Sequence, residues 1–132
     1  MKSKRSKTGA IRTSRRRSDK KLAWRGGHQA KTEVEEKDKR KVKRVTGGNT
    51  KVKMKTARNA SITVPGQKKA LKAEILEVEE NQANRLFTRK NIITKGATIK
   101  VKVDGKEEKA KVTSRPGQSG VVQAVLIGKK VI

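Results

Sequence analysis

Cysteine is absent from the 132 residues. That removes disulfides, zinc fingers and thiol chemistry together, and it fits a reducing compartment. Histidine occurs once, at His28, too few for the common nucleophile–base pairs and metal sites. Aromatic side chains are reduced to Trp24 and Phe87, so a core must be assembled from aliphatic residues. No run of 18 apolar residues occurs, so no helical membrane span is expected. The basic N-terminus is not followed by an apolar stretch, so it does not read as a secretory signal. No G-x-x-x-x-G-K-[ST] phosphate loop is present, which argues against nucleotide hydrolysis.

The scarcest charged group is the carboxylate. Twelve Asp and Glu face 37 Lys and Arg, a formal charge of +25. A charge this large repels itself in a compact state unless a polyanion neutralises it. Nucleic acid is the first partner to consider, with an anionic membrane surface second. Of the two, nucleic acid is the partner expected, with no membrane and no small-molecule substrate. The charge is uneven: residues 1–58 are net +17 and residues 59–132 net +8.

Residues 1–30 lack any 2.0 or 3.6 period of apolar side chains. Such a segment cannot bury enough surface to offset its ordering entropy. It reads as a basic extension that orders on a partner, ahead of a domain at 31–132. Lys4, Arg5, Lys7, Arg12, Arg15, Arg16, Arg17, Lys20, Lys21 and Arg25 are its candidate phosphate contacts. Arginine forks onto phosphate and stacks on bases. Trp24 fits two roles equally, stacking on an unpaired base or docking the extension onto the domain.

The rest reads as mainly β. A strand near 42–46, the turn signal Gly47-Gly48-Asn49 and the alternating run TKVKMKT (50–56) predict a hairpin. Lys51, Lys53 and Lys55 then share one face and are candidate phosphate contacts. ASITV (60–64), Pro65-Gly66-Gln67 and a long strand at 68–80 predict a second hairpin, with a bulge where the alternation slips at Ile75-Leu76. Residues 81–91 are the helical candidate, with Asn81 as its cap. Arg85 and Arg89 lie one helical turn apart on it, as RNA contacts or as partners of Glu79 and Glu80. TIKVKV (98–103), Asp104-Gly105 and EKAKVT (108–113) predict a third hairpin with a primed turn. Its Lys100 and Lys102 face Glu107 and Glu108, a solvated and charge-balanced surface. VVQAVLI (121–127) reads as a more buried strand with weak alternation. The expected architecture is a small antiparallel β-barrel of six to seven strands with one short helix.

Both prolines sit in Pro-Gly-Gln, at 65–67 and 116–118, and both predict type II turns. Arg115 precedes the second, and with the Ser114 and Ser119 hydroxyls it is a candidate phosphate contact. Gly117-Gln118-Ser119-Gly120 matches the GxxG spacing of KH domains, but it joins two strands instead of two helices. The paired acids Glu79-Glu80 and Glu107-Glu108 read as solvated charges, not as an acid–base couple, and no enzyme is expected.

Three stretches resemble one family. NQANRLFTRKNIITKGATI with KVTSRPGQSGVVQAVL, RVTGGNTKVKMKTAR, and Arg5-x-x-Thr8-Gly9-Ala10 are similar to segments of the small-subunit ribosomal protein S8e family. Between 22 and 28 the chain departs from the family pattern, reading LAWRGGH. It lacks a large mid-domain insertion and so looks archaeal-like. The resemblance implies a β-barrel with a basic extension, binding to small-subunit ribosomal RNA, neighbouring ribosomal proteins as partners, a cytoplasmic ribosomal location and no cofactor. It singles out Arg5, the basic cluster at 15–21, Arg44 with Lys51 and Lys53, and Arg115 as facing RNA. An assembly factor or free RNA-binding module with the same barrel is the alternative reading.

Overall fold

Valine, isoleucine and threonine alternate with lysine through most of the chain, and the alternation folds as strands. A computed structural model describes residues 7–8, 28–66 and 70–127. Among these residues there are nine strands and two short helices. In chain order they are β1 (Thr32–Val34), β2 (Lys39–Arg44), β3 (Thr50–Ala57), β4 (Asn59–Thr63), β5 (Ala70–Glu80), α1 (Arg85–Arg89), β6 (Ile92–Ile93), β7 (Thr98–Val103), β8 (Lys106–Val112), α2 (Pro116–Ser119) and β9 (Gln123–Leu126).

β4, β5, β7, β8 and β9 close into a barrel, while β2, β3, β1 and β6 form a separate sheet in that order. The expected barrel of six to seven strands is therefore corrected to five. The first hairpin belongs to the other sheet. The expectation of a purely antiparallel ladder also fails, at β4–β9 and at β1–β3. For the barrel the reason is topological. Strand direction cannot alternate all the way around a closed ring of five, so one seam must be parallel. That seam sets Ser61 opposite Gln123 and Ile62 opposite Ala124.

The barrel interior is filled by small aliphatic side chains. Ile62, Ile99, Val101 and Val112 are fully buried, and Ala60, Ala73, Ala110 and Ala124 are the small buried residues on the barrel strands. Alternating small and large residues suit the taper of a narrow barrel. Each buried Ile or Val contributes about 1.5–3 kcal/mol, which explains how a core forms with no aromatic residue among its buried members.

Several local expectations hold. β5 is one long strand whose register shifts between Ile75 and Glu77, at the slip in its alternation. Asp104 and Gly105 both have positive φ, 47° and 83°, as a type I′ turn requires. Others are corrected. The helix is shorter than 81–91, and its cap is Asn84, whose Oδ1 accepts the Leu86 N–H at 2.8 Å. Asn81 is instead buried. It donates to the Ile92 carbonyl, and its Oδ1 accepts from the Thr94 hydroxyl and the Ala83 N–H. β9 alternates strictly between buried and solvent-facing positions from Val121 to Ile127, because only its inner face meets the barrel interior.

The two Pro-Gly-Gln copies diverge. Gly66 has φ 88°, as a type II turn needs. Pro116-Gly117 is the first turn of α2, with proline at its start, where the missing N–H costs nothing. α2 ends at Gly120 with φ 73°. A Cβ there would lie 2.6 Å from Val52 Cγ1, so glycine is what lets α2 pack onto β3.

Candidate nucleic-acid interface

Between residues 39 and 57 the sequence holds eight Lys and Arg and no acid. These residues form the β2–β3 ribbon. Its register sets Lys41 opposite Lys53 and Lys43 opposite Lys51. Residues directly opposite in an antiparallel pair share a face, so four ammonium groups form a ladder on one side. Like charges in such pairs destabilise a ribbon by about 0.2–1 kcal/mol each. The other face carries Arg40, Val42 and Arg44 from β2 beside Met54, Val52 and Thr50 from β3.

The ribbon tolerates this repulsion because it is pinned from elsewhere. Met54 is buried in the core, and its carbonyl accepts the Thr32 hydroxyl at 2.8 Å. The Thr56 hydroxyl donates to the Lys37 carbonyl at 2.6 Å. The Asp38 carboxylate accepts the Arg58 N–H at 2.7 Å, fixing the loop before β2 to the turn after β3. β1 pairs along one edge of β3, and α2 covers Val52. At the tip a short 3-10 turn, Thr46–Gly48, is closed by the Val45 N–H donating to the Asn49 carbonyl at 2.8 Å.

Of the residues singled out from sequence, Lys51 and Lys53 lie on the ladder. Arg44 is exposed at the ribbon's end, on the opposite face. Lys55 is separated from its neighbours. The register steps from Lys39 opposite Thr56 to Arg40 opposite Met54, so Lys55 is an exposed bulge, and bulges re-aim side chains. Lys41 and Lys43 were missed. The signal for them was the alternating KRKVKR run, which only the pairing register turns into a ladder.

Arg85 and Arg89 are exposed on α1, and neither enters an ion pair among the described residues. Glu79 is taken by Lys109 instead. Arg115 is exposed at the start of α2, and its carbonyl accepts the Gln118 and Ser119 N–H groups. The Ser114 and Ser119 hydroxyls do not join it as phosphate donors. Ser114 Oγ donates to the Val121 carbonyl and accepts the Gln123 N–H. Ser119 Oγ donates within the same corner, to the Arg115 and Val121 carbonyls. Both hold the α2 corner closed. Lys7 is exposed in a turn. Lys4, Arg5, Arg12, Arg15, Arg16, Arg17, Lys20, Lys21, Trp24 and Arg25 lie outside the described residues.

The outer face of β5, β7 and β8 differs from the ribbon. Lys100 donates to Glu77 at 2.5 Å, Lys109 to Glu79, and Arg58 Nε to Glu74 at 2.9 Å. Lys102 lies between Glu74 and Glu107 in the ladder. The hydrogen bond to Glu77 and that group's charge raise the Lys100 ammonium above the ordinary lysine value, with Glu79 and Glu107 adding to the effect. This face is charge-balanced as expected, but only Lys102 faces its expected acid, Glu107. Lys100 stands opposite Lys109 and pairs with Glu77, and Glu108 stands opposite Val101.

Fold and surface together define a small, strongly basic, mainly β protein built on a five-stranded barrel with a cationic ribbon. The family model for ribosomal protein S8e matches residues 1–127. Small ribosomal subunit protein eS8 of Pyrobaculum islandicum is 45% identical over 111 residues, covering 84% of this chain and 82% of the relative. The protein of the same name from Ignicoccus hospitalis is 42% identical over 116 residues, covering 88% and 86%. That of Methanococcus aeolicus is 44% identical over 104 residues, covering 79% and 78%. The chain belongs to the ribosomal protein S8e family.

Proposed function

We propose that this protein is a structural constituent of the small ribosomal subunit that binds ribosomal RNA, with neighbouring ribosomal proteins as its other partners and the cytoplasmic ribosome as its location. The observation that carries the reading is the lysine ladder, four ammonium groups paired across β2–β3 in a segment without a carboxylate. The relatives' shared name supports the subunit assignment.

The ribbon and the extension at 1–30 divide the work, with residues 31–132 as the folded domain. The ladder presents a fixed row of charges to phosphates, setting position. The extension supplies arginines that order against the RNA. RNA shape and unpaired bases then set specificity. Arg115, Arg44 and the pair Arg85 and Arg89 add cationic points around the domain.

Replacing Lys41, Lys43, Lys51 and Lys53 together with Gln tests this. Affinity for small-subunit ribosomal RNA should fall, and the plot of log K against log salt should become shallower by about 0.7–0.9 for each phosphate that is no longer neutralised. An unchanged slope would remove the ribbon from the interface. Subunit membership is checked by sedimentation. The protein should stay with mature small subunits through a high-salt wash, and its release there would favour an assembly factor.

A further inference from the structure

The ribbon's second face borders a groove of about 350 Å³, lined by Arg40 and Met54 of β2–β3 and by residues of β4 and β5. That is the small end of the range for ligand pockets. Its cationic residues are Arg40, on the same ribbon face as Met54, and Lys72 on β5. Neither enters an ion pair among the described residues. Opposite Lys72 in the barrel ladder lies Ser61, and Asn59 is two residues along the same strand. Their side chains make no hydrogen bond to the rest of the described chain. Leu71 and Val121, each 37% exposed, supply apolar walls. Asp38 completes the lining. Its Oδ1 accepts two backbone N–H groups, from Arg58 and Asn59, and a carboxylate retains further acceptor sites.

These groups match the parts of one nucleotide. Two cations suit a phosphate. Two aliphatic side chains suit the face of a base. An amide, a hydroxyl and a fixed carboxylate suit a base edge that presents an exocyclic amine. A duplex cannot offer such an edge to a groove this narrow, whereas a base splayed out of the stack can. We propose that the groove holds a single unpaired, amine-bearing nucleotide of the bound RNA, while the lysine ladder on the ribbon's opposite face holds the backbone nearby. The proposal rests on the RNA-binding reading above.

The test uses the full chain and three RNA hairpins sharing one stem: fully paired, with one bulged adenosine, and with one bulged uridine. Fluorescence anisotropy at fixed salt gives the affinities. The adenosine bulge should bind about tenfold tighter than the paired hairpin, the scale of one or two net hydrogen bonds, with the uridine bulge in between. Asn59→Leu should abolish the preference and leave paired-hairpin affinity within about twofold, since the half-buried Asn59 side chain makes no hydrogen bond within the described chain and substitutions that break no such bond change little. Lys72→Gln, at an exposed strand position, keeps the test valid should Asn59→Leu unfold. It too should remove the preference. Equal binding of all three hairpins by the wild-type chain overturns the groove and leaves the RNA reading intact. A preference that persists in both variants places the unpaired base elsewhere and likewise overturns the groove. Failure to bind any hairpin overturns the reading on which the proposal rests.

Discussion

The β2–β3 ribbon and the outer face of β5, β7 and β8 are written in nearly the same alphabet. Both alternate lysine with aliphatic residues, and both present rows of ammonium groups to solvent. They differ in the carboxylates that the neighbouring strand supplies. On the barrel face Glu77 meets Lys100 and Glu79 meets Lys109. Lysine stands opposite lysine on both surfaces, Lys100 facing Lys109 and Lys41 and Lys43 facing Lys53 and Lys51, but the ribbon segment itself holds no carboxylate. The lesson is that lysine content does not mark a polyanion-binding surface. The carboxylates within reach do, because an acid already paired with a lysine has taken up the charge that a phosphate would need.

The strongest way to break the contrast is to rewrite the ribbon in the image of the barrel face. Lys41→Glu with Lys43→Glu should turn two repulsive pairs into attractive ones. RNA affinity should drop steeply, and the salt slope should become shallower by about 1.4–1.8 if two phosphates are released. Stability should move the other way, rising by about 0.2–1 kcal/mol per pair. Anisotropy and chemical denaturation read the two effects separately. A simultaneous fall in both would mean the ladder is structural.

The converse change is smaller. Glu77→Gln with Glu79→Gln frees Lys100 and Lys109, so RNA affinity should rise by about two- to threefold, and the salt slope should steepen by at most about 1.8, the value for two phosphates. Melting should shift little, because exposed ion pairs contribute only about 0–1 kcal/mol. An affinity that stays constant would show that this face never approaches RNA.

The smallest effect concerns pH. The Lys100 ammonium is held above the ordinary lysine value near 10.5 mainly by Glu77. Its pKa in the folded chain therefore exceeds that in the unfolded chain. The contribution is complete at neutral pH and is lost as pH rises through the raised folded value. The melting difference between wild type and Glu77→Gln should be steady up to the ordinary lysine value and shrink above it. A difference that grew with pH would have the wrong sign for this pair.

Much of this was legible in the residues. Asp104-Gly105 named its own turn, and the slip at Ile75-Leu76 marked a real shift of register. Other features depend on information that local sequence does not hold. β1 and β6 are three and two residues long, too short for any period to show. The parallel seam follows from how many strands close the ring, which no single strand encodes. The second Pro-Gly-Gln copy became helical because Gly120 can approach Val52, a residue far away in sequence. Ser114 and Ser119 look like phosphate donors until the folded corner claims their hydroxyls. For the candidate interface, composition located the charge, while the pairing register decided which lysines stand together and left Lys55 outside.

The parallel seam has a consequence for the order of events during synthesis. The ribbon joins segments close in sequence, so it can form early, as local contacts do. The barrel has no closed core until Gln123 reaches Ser61. A growing chain therefore displays its cationic ladder before its apolar interior is sealed. During that interval Ile62 and Ile99, both fully buried at the end, wait for the last strand to arrive.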